Sequence, residues 1–268
     1  MCHDDMVVET MAVATIVIPC HDDGPVLAEA VGSACSQSVP VAVVVVDDGS
    51  TDPATRSIID RVQREGSALV IAQEHRGVSA ARNTGISAAS TDYVLCLDAD
   101  DRLEPDSVAL LLAALGEHHD VGYAYPGVRM FGAVSRRWRI PRFNSLALLA
   151  GNVVPYCALM PRDTWERAGG YSEVVSSLYE DWDFWLSCLD QGIRGVYVPE
   201  ATLWYRRRPG SALGRARAQH RSLRAQMRER HTRVYRAGWI AAQVMAHPAE
   251  VPGALVRLTR EALRQDSR

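Results

Sequence analysis

The amino-acid sequence predicts an α/β protein: an open, mostly parallel sheet flanked by helices, with a helical appendage at the C-terminus. Strand and helix patterns alternate four times over roughly the first 115 residues, as they do in right-handed βαβ units. The predicted strands are apolar on both faces, which is typical of strands buried in a parallel sheet. After residue 211 the pattern changes to arginine-rich amphipathic helix.

The first half of the chain supplies four strand–helix pairs. Asp23 is a candidate cap and Pro25 suits the first turn of the helix that follows the first strand. Asp52 and Pro53 give the same signal for the next helix. The predicted strands are Ala14–Pro19, Val41–Val46, Ala68–Ala72 and the apolar start of Tyr93–Asp101. The predicted helices run from Pro25 to about Gln37, from Pro53 to about Glu65, from Gly77 to Ala89, and onward from about Pro105.

From Asp120 the strands and helices no longer alternate regularly. A pair of glycines, Gly169 and Gly170, is expected to end one of the helices. The predicted strands are Val121–Met130, Trp138–Ile140, Pro155–Met160, Ile193–Val198 and Thr202–Tyr205. The predicted helices are Phe143–Ala150, Asp163–Ala168 and one beginning near Tyr179.

The tail is predicted to be helical. Apolar residues recur at helical spacing from Leu213 to Val234, with arginines between them, and Trp239–Leu263 continues as helix. Two interpretations stay open for the arginine-rich face. It is either the solvated side of a helix packed on the domain, or a surface for anionic lipid headgroups or an anionic acceptor.

Composition limits the classes of function. The 268 residues are 47% hydrophobic and 23% charged, with a formal net charge of −3, so nucleic acid is not an expected partner. No lysine is present, which excludes P-loop phosphate binding and Schiff-base chemistry. The six cysteines have no paired spacing, and residues 1–12 lack a signal-peptide pattern. With no apolar run long enough to span a bilayer, the expectation is a cytoplasmic protein, with peripheral contact at the inner membrane face through the tail. A homodimer is compatible with the sequence.

Carboxylates follow three of the predicted strands. The fourth strand ends on Asp98, Asp100 and Asp101, which repel one another and need compensation. A divalent cation carrying a substrate phosphate is one solution, and a solvated acidic turn is the other. Because Pro19–Asp22 and Asp47–Asp48 end neighbouring parallel strands, all three groups are expected at the edge where such sheets bind ligands. No Gly-rich fingerprint follows the first strand, so a dinucleotide is not expected.

A second acidic cluster surrounds Asp181. Ser177 and Glu180 have capping-box spacing, so Glu180 is a candidate for reaching back to the helix start. Asp181 then lies in the first turn, where a carboxylate complements the helix dipole. A carboxylate beside tryptophans is also partly desolvated and more basic, which suits a general base for an alcohol.

These segments together resemble the family 2 glycosyltransferases, which have the GT-A fold. The resemblance covers roughly Thr15 to Ser211 and rests on an ordered series of motifs. The series is Ile16-Val17-Ile18-Pro19, Val46-Asp47-Asp48-Gly49-Ser50-Thr51-Asp52, Gly77-Val78-Ser79-Ala80-Ala81-Arg82-Asn83-Thr84-Gly85, Leu97-Asp98-Ala99-Asp100-Asp101, Gly169-Gly170-Tyr171 and Glu180-Asp181-Trp182-Asp183. It implies a glycosyltransferase domain over residues 1–211 and a helical extension over 212–268. Within the domain, the nucleotide-binding half spans about 14–117 and the acceptor-binding half about 118–211.

The resemblance also implies a role for each matching residue. Pro19, with His21 and Asp22 after it, lines the base and ribose of a nucleotide diphosphate sugar, usually a UDP-sugar. Asp48 resembles the acid that hydrogen-bonds the base, and Arg82 and Asn83 flank that pocket.

The two acidic clusters match the reacting centre of the family. Asp98 and Asp100 match its Asp-x-Asp pair and imply Mn²⁺ or Mg²⁺ on the diphosphate. Asp181 matches the catalytic base, which deprotonates an acceptor hydroxyl during a single inverting displacement.

The chain departs from the family pattern at two places. The first loop reads Cys20-His21-Asp22, where an aromatic residue and Asn are usual, so His21 is a candidate for stacking on the base. Arg208 stands where the family commonly has His before Pro-Gly-Ser. Arginine cannot ligate a metal but binds a diphosphate bidentately, which leaves the metal requirement open.

Two alternatives remain at this stage. The segment Leu97-Asp98-Ala99-Asp100 superficially fits the nucleophile loop of a haloacid-dehalogenase-like phosphatase. In that class, however, the nucleophile follows the first strand and its later basic partner is commonly a lysine. A catalytically degenerate subunit that binds a nucleotide sugar without turnover is the other, and the retention of both acidic clusters disfavours it. The acceptor hydroxyl belongs to an unidentified saccharide, lipid-linked or small molecule.

Overall fold

Four parallel strands form the first half of the sheet in this computed structural model, which describes residues 11–175, 178–208 and 220–266. In the sheet they stand in the order β3-β2-β1-β4. The strands are β1 (Ala14–Cys20), β2 (Val41–Asp48), β3 (Leu69–Gln73) and β4 (Tyr93–Cys96). The helices between them are α1 (Val26–Cys35), α2 (Pro53–Glu65) and α3 (Val78–Ala88). The predicted parallel sheet is confirmed.

Local sequence explains why these elements begin and end where they do. The valine run of β2 is buried at its centre, since helices cover both faces of the sheet. At α2, the Asp52 carboxylate accepts from the Thr55 N–H and Pro53 takes the first helical position, as expected. Gly66 ends this helix with φ +66°, a left-handed conformation that glycine adopts without steric cost.

The start of α1 differs from the prediction. Pro25 takes the cap position without a side-chain cap, while Asp23 accepts a hydrogen bond from the His21 N–H. Asp22, at φ +53°, instead joins this loop to the next one, because its Oδ1 accepts from the N–H groups of Thr51 and Asp52 at 2.7 and 2.8 Å. The loops after β1 and β2 are therefore tied together.

The second half of the chain adds five strands and mixes their directions. Along the sheet the order is β3-β2-β1-β4-β8-β6-β9-β5, with β7 pairing β6. The strands are β5 (Arg102–Leu103), β6 (Tyr123–Gly132), β7 (Arg136–Trp138), β8 (Leu159–Pro161) and β9 (Gly195–Arg207). The helices are α4 (Ser107–Glu117), α5 (Ser145–Ala150), α6 (Arg162–Ala168) and α7 (Glu180–Asp190).

Two details of this half were not predicted. The two strands expected over 193–205 form one strand, β9, with an irregularity in its pairing where Pro126 meets Gly127 on β6. The two-residue β5 pairs β9 directly after the acidic strand end. It thereby holds the acids of the Asp98–Asp101 segment beside the end of β9.

The described part of the C-terminal extension, from His220 onward, is helical and docks on the domain. Its described helices are α8 (His220–Arg230), α9 (Ala237–Ala246) and α10 (Val251–Asp266), with a 3₁₀ turn at Pro248–Glu250. The continuous helix predicted over 239–263 is thus interrupted at Pro248. Leu223 and Met227 of α8 are buried. The carboxylate of Asp183 on α7 accepts from His231 Nε2 and Arg230 Nε, both at 2.8 Å.

Some predictions lie outside the described residues. They concern the capping role of Ser177, the motif end at Ser211 and the start of the tail pattern at Leu213.

Within the described residues, no helix is long and apolar enough to cross a membrane.

Candidate active site

The carboxyl ends of β1, β2 and β4 lie side by side at one edge of the sheet. The pairing of Cys20 with Asp47, and of Val17 with both Val44 and Cys96, sets this alignment. Pro19 is buried within β1, whereas His21 and Asp22 in the following loop are exposed. The predicted convergence of Pro19–Asp22, Asp47–Asp48 and Asp98–Asp101 is present.

Asp48 is held entirely by protein groups. Its Oδ1 accepts from Gln73 Nε2 at 2.7 Å and from the Arg76 N–H at 2.8 Å. Its Oδ2 accepts from the Gly77 N–H at 2.8 Å and lies 2.9 Å from His75 Nδ1. Although burial raises its pKa, these hydrogen bonds keep the pKa of the Asp48 carboxyl below its ordinary value. The carboxylate therefore fixes the loop between β3 and α3.

Two histidines stack above this carboxylate. The rings of His21 and His75 lie 4.0 Å apart, and each Nδ1 donates to the Asp48 carbonyl oxygen, at 2.8 and 3.1 Å. With Asp48 they form the one group of three metal-ligating side chains found within the described residues. Both rings are exposed, so a flat ligand has an aromatic surface available there. Sequence reasoning identified His21 and missed His75.

Arg82 joins the two acidic clusters. Its side chain is 1% exposed; Nη2 donates to Asp98 Oδ1 at 2.8 Å and Nη1 donates to Glu180 Oε1 at 2.9 Å. The rings of Tyr156 and Tyr171 lie 5.2 and 5.3 Å from the guanidinium carbon. Glu180 is thus engaged by Arg82. We call Asp98, Asp100, Asp101, Glu180 and Asp181 the acid rim.

Asp100 and Arg208 form an ion pair at the outer side of the acid rim. Arg208 Nη2 lies 3.2 Å from Asp100 Oδ2. Arg206 Nε donates to the Asp100 carbonyl at 2.8 Å. Burial, with Asp98 nearby, raises the pKa of the Asp100 carboxyl to about 6. The basic end of β9 therefore supplies counter-charge to the acids.

Asp101 has a structural role and does not lie in a solvated turn. It is fully buried; Oδ1 accepts from the Arg206 N–H at 2.6 Å and Oδ2 accepts from the Tyr156 hydroxyl at 2.7 Å. The Asp98 N–H in turn donates to the Tyr156 oxygen at 3.1 Å. Asp101 and Tyr156 together fix the loop that carries Asp98 and Asp100.

Asp181 lies in the first turn of α7 and is partly exposed. Asn152 Nδ2 donates to its Oδ2 at 2.7 Å, and its Oδ1 accepts from the Trp182 N–H at 2.7 Å. Burial raises the pKa of the Asp181 carboxyl to about 6, and it raises that of Glu180 as well. A carboxylate with a raised pKa in a half-buried position is suited to accept a proton.

Asn83 is turned away from the strand ends. Its Oδ1 accepts from Trp165 Nε1 and the Tyr171 N–H, while its Nδ2 donates to the Tyr171 carbonyl at 2.8 Å. These bonds anchor the segment after α6 to α3.

Of the residues singled out from the sequence, the structure therefore brings Asp98, Asp100, Asp181 and Arg208 around one region. His75, Tyr156 and Asn152 were missed, because only tertiary packing places them there.

The donor set of the acid rim suits a hard divalent cation. Asp98 and Asp100 are about one-third exposed, at 32% and 29% of their side chains. Carboxylate oxygens are the ligands that Mg²⁺ and Mn²⁺ prefer, with substrate phosphate and water completing the shell. Two protein carboxylates at a strand end therefore fit such an ion, provided that the ion pair between Arg208 and Asp100 opens.

Comparison with known proteins adds independent findings. Residues 15–169 match the family model described as "Glycosyl transferase family 2". The chain is 25% identical over 183 residues to the chondroitin synthase of Escherichia coli, covering 66% of this chain and 26% of that protein. It is 34% identical over 137 residues to the succinoglycan biosynthesis protein ExoO of Rhizobium meliloti (strain 1021), covering 51% of this chain and 38% of that one. The chain therefore spans well under half of each relative.

Solved structures show the same fold. S. aureus TarS 1–349 in complex with UDP-GlcNAc superposes with a TM-score of 0.63 and 19% identity, covering 76% of this chain and 61% of that chain. The mannosyltransferase PcManGT from Pyrobaculum calidifontis, in complex with GDP-Man and Mn²⁺, gives a TM-score of 0.61 and 20% identity, covering 95% and 76%. These similarities establish the architecture of the sheet and its helices.

Proposed function

Because the chain belongs to glycosyl transferase family 2, with the GT-A fold, we propose that it transfers a sugar from a nucleotide diphosphate sugar to an acceptor hydroxyl with inversion. The observation that carries this proposal is the Arg82 bridge between Asp98 and Glu180. It links a strand end suited to a donor with the helix turn that presents a basic carboxylate, Asp181. Donor and base can therefore face each other across one site.

The donor is assigned to the edge formed by β1, β2 and β4. The base and ribose lie along Pro19, His21 and Asp22, with the exposed stacked histidines as the flat surface. Since the Asp48 carboxylate already accepts three hydrogen bonds and lies 2.9 Å from His75 Nδ1, its contribution is to hold His75 and the loop before α3 in place. UDP is the favoured nucleotide because the motif series resembles enzymes that usually take UDP-sugars. The solved structures in complex with UDP-GlcNAc and GDP-Man support a nucleotide sugar in general.

The diphosphate is assigned to Asp98, Asp100 and Arg208. Asp100 and Asp98 would hold a divalent cation, Mn²⁺ or Mg²⁺, which when bound offsets negative charge on the leaving diphosphate. Arg208 offers a planar guanidinium that binds phosphate oxygens bidentately. Arg82 keeps Asp98 in place from beneath and does not reach the surface.

The displacement itself needs one proton acceptor. The acceptor oxygen forms a bond to the anomeric carbon while the bond from that carbon to the diphosphate oxygen breaks on the opposite face. Asp181 takes the hydroxyl proton, and Asn152 holds the carboxylate in position through its 2.7 Å hydrogen bond. A single displacement of this kind inverts the anomeric centre. Membrane contact through the tail and a homodimer stay predictions.

A thermal-shift panel tests the donor assignment. The protein is heated with UDP, GDP, TDP or CDP, each with Mn²⁺ or with EDTA. A ligand at one hundred times its dissociation constant contributes about 2.7 kcal/mol of stability, which gives a clear rise in melting temperature. We expect the largest shift with UDP. Absence of a shift with every nucleotide would contradict the proposal.

A matched pair of variants tests the cation site. Asp100→Ala should remove the additional shift that Mn²⁺ gives to the nucleotide. Asp106→Ala, at an exposed carboxylate just before α4, should leave it unchanged. An unaltered Mn²⁺ response in Asp100→Ala would refute the assignment of Asp100 as a ligand.

A further inference from the structure

One long segment of the chain contains no carboxylate at all. Between Asp120 and Asp163 there are six arginines and neither Asp nor Glu, in a chain whose formal net charge is −3. Five of the six are exposed and lie on β6, on β7 or before α5. We call these five the basic edge: Arg129, Arg136, Arg137, Arg139 and Arg142.

The arginines of the basic edge have no acidic partners among the residues that the structure describes. In the described part of the chain, no carboxylate forms an ion pair with any of the five. Arg137 donates to the Pro199 carbonyl at 3.4 Å, and Arg129 lies 5.6 Å from the Trp204 ring. Neither contact neutralises the charge, so these guanidinium groups are available to bind an anion.

Two of these arginines face each other directly. Arg129 on β6 is the cross-strand partner of Arg137 on β7 in an antiparallel pair. Side chains so placed have Cβ atoms about 5 Å apart, and like charges there destabilise the sheet. A bound anion between the two guanidinium groups would convert this repulsion into attraction.

The strand register places the basic edge near the acid rim. Leu159 of β8 pairs with both Leu95 of β4 and Ala124 of β6, so β4 and β6 run in the same direction and are level there. Further along, β7 pairs residues 128–130 of β6. Within that stretch, Arg129 pairs with Trp204 of β9, whose other partner is Arg102, two residues after Asp100. The basic edge thus lies at the same edge of the sheet as the reacting centre, on the half assigned to the acceptor.

An aromatic ring lies on the other face of the same strand. Trp138 follows Arg137 directly on β7, and successive side chains of a strand point to opposite faces. Its ring, 36% exposed, contacts that of Tyr205 edge-on at 6.1 Å, so it is not part of the surface that the arginine pair presents. The guanidinium groups of Arg129 and Arg137 are planar forks that match carboxylates bidentately. The pair therefore favours a ligand that carries a carboxylate.

We propose that the basic edge binds the acceptor, and that the acceptor is a carboxylate-bearing glycan. This inference rests on the proposed function and narrows it from any hydroxyl compound to one chemical class. Arg129 and Arg137 hold the carboxylate of the glycan. The acceptor hydroxyl is then presented toward Asp181.

Binding of two labelled oligosaccharides of equal length tests this proposal. Oligogalacturonate carries a carboxylate on each sugar, and maltooligosaccharide carries none. The full chain should bind oligogalacturonate at least tenfold more tightly, with an affinity that falls as NaCl is raised. The double variant Arg129→Gln/Arg137→Gln should lose this binding at least tenfold. Arg61→Gln/Arg64→Gln, at two exposed arginines of α2, makes the same change of charge and should stay within twofold of wild type.

Three outcomes would overturn the proposal: equal affinity for the two oligosaccharides, equal losses in the two double variants, or binding only to phosphatidylglycerol vesicles through the same arginines. UDP thermal shifts on the same proteins separate this proposal from the donor assignment, since both double variants should keep the shift. A wild-type chain that discriminates the oligosaccharides without any nucleotide shift would refute glycosyl transfer and retain the glycan surface.

Discussion

The acid rim and the basic edge use arginine in opposite ways. At the acid rim, Arg82 and Arg208 each meet a carboxylate, and the pairing fixes side chains. At the basic edge, Arg129 and Arg137 meet each other instead. In a chain without lysine, every long cationic side chain is an arginine, so residue type alone does not indicate its role. The partner of each arginine does: Arg82 and Arg208 hold acids of the rim, whereas Arg129 and Arg137, which have no carboxylate partner among the described residues, are available to a ligand.

The largest effect is expected at the proton acceptor of the acid rim. Asp181→Asn keeps the shape of the side chain and removes its basicity, so transfer should fall by roughly 10²- to 10⁴-fold. Nucleotide binding, measured by calorimetry, should change less than threefold, since the donor contacts lie elsewhere. Asp190→Asn, at the last residue of the same helix, is the matched control and should retain turnover. Near-normal transfer by Asp181→Asn would show that another group is the base.

The next largest effect concerns the buried arginine. Arg82→Met leaves Asp98 and Glu180 without their shared counter-charge, and we expect a loss of about 3–5 kcal/mol in the free energy of unfolding. Arg167→Met removes an exposed i,i+4 pair with Asp163 and should cost less than about 1 kcal/mol. Urea unfolding of both variants measures the difference. Equal losses would mean that Arg82 is not the structural link between the two clusters.

A pH profile probes the same region with a smaller effect. Burial raises the pKa of Asp181 and of Asp100 to about 6, and the proposed mechanism needs both carboxyls ionised. Initial rates measured from pH 5 to 8 should therefore rise through pH 6 and be about a hundredfold lower at pH 5 than at pH 7. A rate that is flat from pH 5 to 7 would contradict the ionisation requirement.

The contribution of these carboxyls to stability should fall as the pH rises, whereas the rate of transfer should increase. A carboxyl whose pKa is raised on folding binds more protons in the native state than in the unfolded state. Its contribution to stability is complete below about pH 4 and is lost as the pH rises through about 6. We therefore expect the free energy of unfolding, plotted against pH, to differ most in slope between wild type and Asp181→Asn from pH 4 to pH 6.

The smallest effect is expected at the basic edge. Arg137→Thr removes one of two opposed charges and introduces a residue that suits strands, so the free energy of unfolding should rise by about 0.2–1 kcal/mol. Arg136→Thr is the control, because the partner of Arg136 is the apolar Met130. The free energy of unfolding of Arg136→Thr should rise by less than that of Arg137→Thr. If Arg137→Thr destabilised the protein relative to Arg136→Thr, the two opposed arginines would not be repelling each other in the free protein.

The parallel half of the fold could be predicted from sequence because its signals are local. Unbroken apolar runs such as Val41–Val46, and the Asp52-Pro53 helix start, need no knowledge of distant residues. The interruption at Pro248 carried a local signal too, since a proline disfavours helix in the residue before it. By contrast, β5 has two residues, too few for any periodicity to be recognised.

The candidate site was predictable in its acids and less so in their environments. Asp98, Asp100 and Asp181 were singled out from motifs, which set them apart from Asp101. Sequence alone did not show the burial of Asp101, which depends on Tyr156 and the end of β9. The Arg208–Asp100 pair and the Arg129–Arg137 pair likewise depend on strand register. Contacts between residues that are far apart in sequence leave no trace in local patterns.

The most direct test of the account is a structure of the protein with bound UDP and Mn²⁺. We expect the diphosphate at the acid rim, within hydrogen-bonding distance of Arg208, with the cation on Asp100 or Asp98 and the nucleotide base against the stacked histidines His21 and His75. Arg82 should remain buried between Asp98 and Glu180. Nucleotide density elsewhere on the protein, or a diphosphate that contacts none of Asp98, Asp100 and Arg208, would contradict it.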